Sequence, residues 1–421
     1  MTSTRRSQPL HAPRPVDPQR WPDVATVPSR PVRAVIARRL FRQAVARIPL
    51  RVVEAGGSWY GAGTGRDPVM RLERPDAFYQ RLGNSGTIGF GEAFMAGDWS
   101  TDDLLGVLTA FASRLRELVP ATLQRLRHAV LSRQPGHHDN TIEGARQNIH
   151  QHYDLSNDLF ALFLDETMTY SSAVYSADPA NSQDTLADAQ RRKIDRLLDR
   201  AGVGEGTRLL EIGTGWGELS IRAAARGARV TTITISTEQA TLARQRIDAA
   251  GLADRIAVEL RDYREVSERF DAVVSVEMIE AVGANHWDEY FTAIDRVLVP
   301  GGRVGLQAIL QDDRTVQATK DTYTWIRKYI FPGGQCASLE AIQRTLAAHT
   351  ALTITDRFSF NQHYAETLRR WRTRFEERAA EVDALGFDET FRRMWSFYLA
   401  YSEAGFRAGY LDVQQITLVK R

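Results

Sequence analysis

Between Arg208 and Leu310 the sequence alternates short apolar runs with amphipathic ones. LLEI precedes ELSIRAAARG, and RVTTITIS precedes EQATLARQRIDAAG. IAVELRDY and FDAVVSVEMIE then lead to HWDEYFTAIDRVLV and GRVGLQAIL. The apolar runs are short and continuous, as in strands, while the longer segments carry apolar residues at helical spacing. A strand that is apolar on both faces must be covered on both faces. This order therefore predicts a doubly wound α/β fold around a mostly parallel sheet. The first strand enters the turn E-I-G-T-G-W-G, with glycines at 213, 215 and 217. Glycine lets the backbone bend sharply and approach a ligand beyond the carboxyl end of a strand. The spacing is not G-x-G-x-x-G and no P-loop lysine follows, so the turn is not a phosphate cradle of either kind. A purely structural turn in a dinucleotide-binding domain is the competing reading.

The rest of the chain sets limits. A length of 421 residues allows more than one domain. A net charge of +2 creates no global field that would favour nucleic acid. The single cysteine, Cys336, fits a reducing cytosol and cannot form an internal disulfide or a thiolate cluster. No run of 18 apolar residues is present. Residues 1–30 are polar and proline-rich at their start and read as a disordered lead-in. Residues 31–138 read as a smaller α+β domain: RVVEAGGSWYGAG and PVMRLERP as strands, a glycine-rich aromatic stretch, then a helix from Asp102 to Ser113 and another ending near Arg133. SRQPGHHDNT, 132–141, is the linker candidate, and 139–421 is the larger domain. A long aromatic insertion follows Gln311, and the C-terminal third from His363 reads as helical.

Basic charge is uneven. From Val24 to Val53 there is no acidic residue, while seven arginines fall between Arg30 and Arg51. Val32, Val35, Ile36, Leu40, Val45 and Ile48 run between them near helical spacing. Such a helix either packs on a core with its arginines solvated or is drawn to anionic lipid headgroups. His137, His138, His150 and His152 show no metal-binding spacing, so no metal is expected.

The glycine turn, with the PGG turn at 300–302 before GRVGLQAIL, resembles motif I of S-adenosylmethionine-dependent methyltransferases. Five further motifs occur in order: HYDLSNDLFALFLDETMTYSS, T-x-S-x-x-Q, VVSVEMIEAVG, KYIFPGG and HYAETLRRW. Together they resemble the cyclopropane-fatty-acyl-phospholipid synthase family, over most of 143–421. GFGEAFMAGDWS adds the N-terminal domain of its phospholipid-acting members. Within the family, the likeness is greatest to the tuberculostearic-acid-type fatty-acid methyltransferases.

The resemblance implies a class I methyltransferase fold: Rossmann-like, seven-stranded, doubly wound and mostly parallel, with helical insertions. The cofactor it implies is S-adenosylmethionine, bound by Tyr170, Ser171, Glu211, Gly213, Thr214, Gly215, Trp216, Gly217, Thr234, Ser236, Gln239, Asp262 and Tyr263. Many methyltransferases end the second strand with an acid that binds ribose; here the Gln239 amide takes that place. The acceptor implied is the cis double bond of an unsaturated phospholipid acyl chain, which passes through a carbocation. Closure gives a cyclopropane. Hydride shift and proton loss give a 10-methylene chain, which a flavin-dependent reductase would then saturate. A bound bicarbonate is the implied base, held at positions matching Ser172, Glu280, Gln307, Ile309 and Tyr364. Two of these depart from the family: Ser172 replaces a cysteine and Gln307 a histidine. Hydroxyl and amide can still hydrogen-bond an anion, but neither carries charge. Ser402 replaces a second family cysteine, so no thiol mechanism is available. The methylene product is the preferred expectation, with a cyclopropane synthase and a non-catalytic lipid-binding subunit as alternatives. A homodimer peripheral at the inner face of the membrane is also implied.

Overall fold

The computed structural model describes residues 15–54, 56–114, 140–141, 144, 156–320 and 322–421. Residues 132–139 of the expected linker at 132–141, the helix ending near Arg133, the HYD motif and the four histidines of 137–152 lie outside the described residues. Contacts divide the chain into two compact units. The first joins the chain up to Arg133 with Thr322–Ile330 and Glu376–Ala408. The second is Gln134–Asp321 with Phe331–Phe375 and Gly409–Arg421. Two segments read from sequence as part of the larger domain thus pack with the smaller one.

In the first unit a small sheet has the order β2-β1-β3-β4, with β1 Arg51–Glu54, β2 Trp59–Tyr60, β3 Val69–Leu72 and β4 Trp99–Ser100. The β1–β3 pair is parallel; β2 and β4 add antiparallel. Helices Thr87–Ala96 and Leu104–Ser113 pack with the late helix Glu389–Arg407, and Pro75–Ser85 packs on Thr87–Ala96. Aromatic rings explain why that helix belongs here. Phe397 lies 5.5 Å from Phe94 and 4.6 Å from Trp325, centroid to centroid. Gly91 admits the indole, since a Cβ there would sit 2.3 Å from Trp325 Cδ1. Residues 15–30 are ordered rather than a disordered lead-in. Buried Arg81 bonds Asp98 (2.8 Å) and donates to the carbonyls of Asp23, Val24 and Thr26, clamping that segment down.

The second unit holds a seven-stranded sheet of order β10-β11-β9-β8-β5-β6-β7. Its strands are β5 Arg208–Ile212, β6 Arg229–Thr234, β7 Ile256–Leu260, β8 Phe270–Val276, β9 Leu298–Leu310, β10 Leu352–Ser359 and β11 Asp412–Lys420. β5 to β9 are mutually parallel where they pair; β11 is antiparallel to both β9 and β10. Two hydrophobic clusters cover the two faces. One contains Leu210, Val273, Tyr290 and Leu306; the other contains Ile194, Leu209, Val230 and Val274. Adjacent residues of one strand go to opposite clusters, as a pleat buried on both sides requires. The chain runs β5 to β6 to β7 on one side, then returns to place β8 on the other side of β5. That reversal opens a crevice at the carboxyl ends of β5 and β8, where doubly wound sheets bind ligands.

Candidate active site

A cavity occupies this crevice. Its wall includes the turn after β5, the ends of β6 and β8, the segment Thr167–Ser171 and Tyr263. Gly213, Gly215 and Gly217 all have positive φ (94°, 52°, 91°). At Gly213 the backbone also passes so near Met278 that a Cβ would lie 2.6 Å from its Cγ. At Gly215 a Cβ would meet nothing, leaving the backbone open to a ligand. Gly217 then starts the helix Glu218–Ala225.

Eleven of the expected cofactor residues form the cavity wall: Tyr170, Ser171, Glu211, Gly213, Thr214, Gly215, Trp216, Thr234, Gln239, Asp262 and Tyr263. The other two, Gly217 and Ser236, start helices behind it; Ser236 Oγ caps Thr237–Ala249 by accepting from Gln239 N. The wall residues are fixed from outside. Thr232 Oγ1 donates to Thr214 Oγ1 (2.8 Å), and Trp216 Nε1 donates to Asn157 Oδ1 (2.7 Å). Thr234 Oγ1 donates to Gln239 Oε1 (2.9 Å), which leaves the amide's N–H donors for a ligand. Asp262 is gripped by Arg264 through Nε and Nη2, both at 2.8 Å. Glu211 accepts from Ser220 Oγ, and burial pushes its carboxyl up to about 7. From the expected residues the cavity thus offers a glycine backbone, two carboxyl groups and an amide around an aromatic rim, which fits a cationic, hydroxyl-rich nucleoside such as S-adenosylmethionine.

The five expected base-site residues do not line the cavity wall, yet three of them, Ser172, Gln307 and Tyr364, converge on one residue that does. This is Glu277, the first residue past β8. Its Oε1 accepts from Ser172 N (3.0 Å) and Gln307 Nε2 (2.8 Å), and its Oε2 from Tyr364 OH (2.7 Å). Gln307 is aimed from behind by Gln415, whose Nε2 donates to Gln307 Oε1 (3.2 Å). Ser172 contributes its backbone N–H; its hydroxyl turns to the carbonyl of Ala173 (3.2 Å). Glu280 and Ile309 form a separate pair, the Ile309 amide donating to Glu280 Oε1.

The carboxylate of Glu277 therefore takes the donors that a bicarbonate would need. The residues present do not fit that ion, and no step is assigned to it. Glu277 has φ 54°, and Met168, also on the wall, has φ 53°. Non-glycine residues with such backbones are strained and concentrate at functional sites.

A buried lysine, Lys193, is part of the same wall. Lys193 Nζ donates to Ser171 Oγ (2.6 Å). Burial lowers it to about 8, opposed by the charges of Glu277, Asp165 and Glu211. Glu277 is pushed up by burial and held down by Lys193 and its three donors. Glu280 is pushed up to about 8 by burial and by the charge of Glu277. Three donors aim at Glu277 and one at Glu280, so in this buried pair the charge rests on Glu277 and the proton on Glu280.

Sequence reasoning missed both Glu277 and Lys193. Glu277 was visible inside VVSVEMIEAVG. Lys193 was visible as a lysine on the apolar stripe of the helix Leu186–Ala201, between Ala189 and Leu197.

The mycolic acid cyclopropane synthetase family profile matches residues 140–416, more than half of the chain. The chain belongs to this family. It is an S-adenosylmethionine-dependent methyltransferase of the cyclopropane synthase type. The tuberculostearic acid methyltransferase UfaA1 of Mycobacterium tuberculosis is 53% identical over 411 residues, covering 96% of both chains. The cyclopropane-fatty-acyl-phospholipid synthase of Escherichia coli is 32% identical and covers 82% of this chain and 86% of its own. Among solved structures, the cyclopropane synthase MmaA2 of Mycobacterium tuberculosis matches with a TM-score of 0.60 and 33% identity, over 65% of this chain and 98% of that one. The cyclopropane synthase CmaA1, solved with SAH and CTAB, also has a TM-score of 0.60, with 31% identity, over 68% of this chain and 99% of that one. The expected class I methyltransferase fold is thereby met.

Proposed function

We propose that the enzyme adds the methyl carbon of S-adenosylmethionine to the cis double bond of an unsaturated phospholipid acyl chain, giving a 10-methylene chain. Identity with a tuberculostearic acid methyltransferase along nearly the whole chain supports the acceptor class. One observation carries the product: the base site holds a fixed glutamate carboxylate, Glu277, on the cavity wall.

The cofactor, when bound, supplies an electrophilic methyl on a sulfonium. Glu211, Gln239, Asp262 and the glycine backbone are the groups to hold it. The acceptor's π pair forms the new carbon–carbon bond and leaves a cation on the acyl chain. Tyr170, Trp371 and Tyr364 form a run of rings beside the cavity, at centroid distances of 5.3 and 6.2 Å. Their π faces favour a nearby cation. Hydride shift moves the charge to the branched carbon, and loss of a proton from the added methyl gives the methylene. Glu277 accepts that proton. Its own position is set by Ser172 N, Gln307 and Tyr364, and Lys193 keeps it ionised beforehand. A tethered carboxylate reaches a fixed set of protons, which favours one route out of the cation over ring closure. A flavin-dependent reductase acting on the product and a homodimer complete this reading.

Mass spectrometry of lipids from cells fed oleate and labelled methionine tests it. A one-carbon product that takes up hydrogen under mild catalysis to a 10-methyl chain supports the reading. A product resistant to mild hydrogenation is a cyclopropane and refutes it. No labelled lipid would favour a lipid-binding role without this chemistry.

A further inference from the structure

The basic helix Pro31–Val45 is turned the opposite way from an ordinary surface helix. Its inward face is filled by Ala37, Phe41 and Val45. Phe41 packs on Phe78 (5.1 Å), Tyr79 (6.1 Å) and Phe111 (6.0 Å). That leaves Val32, Val35, Ile36 and Leu40 outside, at 73, 71, 54 and 38% exposure. Val32, Ile36 and Leu40 follow one another at intervals of four, so they form one stripe along the helix. Four large aliphatic side chains side by side in water constitute a patch rather than scattered exposure. The adjoining hairpin, reached by Arg42 over the Tyr60 ring (4.7 Å), exposes Trp59 as well.

Charge identifies what covers the patch. Arg38 and Arg42 are spent on Glu54, at 3.1 and 3.0 Å. Arg33, Arg39 and Arg47 are exposed and make no ion pair among the described residues. No acid lies between Val24 and Val53 to oppose them. Aliphatic side chains flanked by uncompensated arginines match a surface that is negative outside and apolar beneath. Among the described residues no helix is long and apolar enough to cross a membrane.

We propose that the helix Pro31–Val45 docks the enzyme on anionic phospholipid bilayers, its stripe Val32–Ile36–Leu40 sinking into the headgroup boundary and Arg33, Arg39 and Arg47 facing lipid phosphates. This rests on the reading that the acceptor chain lies in a bilayer. It is tested apart from that reading by using lipid without double bonds.

The full chain is sedimented with fluid vesicles of dimyristoyl-phosphatidylglycerol or of dimyristoyl-phosphatidylcholine. Turnover is measured separately on oleoyl phospholipid dispersed in detergent micelles. The wild type binds phosphatidylglycerol far better than phosphatidylcholine, and binding falls with salt. Ile36→Glu/Leu40→Glu lowers vesicle binding about tenfold or more. Arg33→Ala/Arg39→Ala/Arg47→Ala lowers it about a hundredfold. Both variants keep wild-type melting temperature and micellar turnover. Variants that bind vesicles as the wild type does overturn the proposal. So does a halved mass on sedimentation equilibrium in Ile36→Glu/Leu40→Glu, which would assign the stripe to a second copy. Wild-type binding to phosphatidylglycerol without any micellar turnover upholds the docking and sinks the proposed chemistry.

Discussion

The glycine turn beyond β5 and the carboxylate cluster beyond β8 stand on neighbouring strands, yet they are made in opposite ways. The turn is contiguous: one strand, one bend and one helix within 208–225, shaped by backbone angles that glycine permits. The cluster is assembled from residues 172, 193, 277, 307, 364 and 415, brought together only by the finished sheet. A backbone site tolerates little change in shape but carries little charge of its own. A side-chain site holds buried charge, and its chemistry depends on which atom holds the proton.

If that contrast is right, the largest loss comes from a change of charge without change of shape. Glu277→Gln keeps the volume and can still meet Tyr364, but it cannot accept a proton. General bases contribute about 10²–10⁴ to rate, so lipid product should fall about a thousandfold while calorimetry shows S-adenosylhomocysteine bound as in the wild type. Loss of cofactor binding would mean that Glu277 belongs to the cavity's structure instead.

The converse belongs to the turn. Gly213→Ala adds one methyl at φ 94°, against Met278. Strain of about 1–3 kcal/mol follows, and the turn shifts under the cofactor. Cofactor affinity should weaken about tenfold to a hundredfold, with turnover at saturating cofactor much less affected. A variant with unchanged affinity would show that the backbone does not approach the ligand there.

The same contrast explains what could be read in the chain. Local features were legible: β5 and its glycines, and the helix after β6. So was the order of five parallel strands, because each is an apolar run between two helical ones. β10 and β11 were not assigned. DVQQITLVK alternates only in part, since Gln415 is buried by partners on other segments. Gln415 faces Gln307 and Lys193 O, a use that no local pattern reveals. The aromatic helix 389–407 was read as part of the larger domain because contact with Phe94 and Trp325 is a tertiary fact. At the base site the positions were named through the resemblance alone. Ser172, Gln307 and Tyr364 were matched to an external anion, and the structure gives them an internal one.

A smaller effect separates the two acids. Glu280 has its carboxyl raised from 4.5 to about 8 by burial first and the charge of Glu277 second. A raised carboxyl binds its proton more tightly folded than unfolded. Its stabilisation is fully present below about 4.5 and is lost as pH rises through about 8. Glu280→Gln copies the neutral form and still accepts from Ile309 N. The variant should therefore gain in melting temperature relative to the wild type as pH goes from 5 to 8, with turnover at pH 7 within about threefold. A turnover loss as deep as that of Glu277→Gln would place the charge on Glu280 and reverse the assignment.

The smallest effect is expected at Ser172. The hydroxyl there points to the Ala173 carbonyl, and the contact to Glu277 is made by the backbone N–H, which every residue but proline supplies. The side chain is fully buried, so only its size matters. Cysteine is close in volume and accepts loss of the weak hydroxyl bond, which is worth about 1 kcal/mol in stability. Ser172→Cys should leave turnover and the methylene product within about twofold and lower the melting temperature slightly. Should the thiol instead divert product to the cyclopropane, the side chain at 172 would share in choosing which proton leaves, and the boundary drawn between backbone and side-chain sites would have to move to include it.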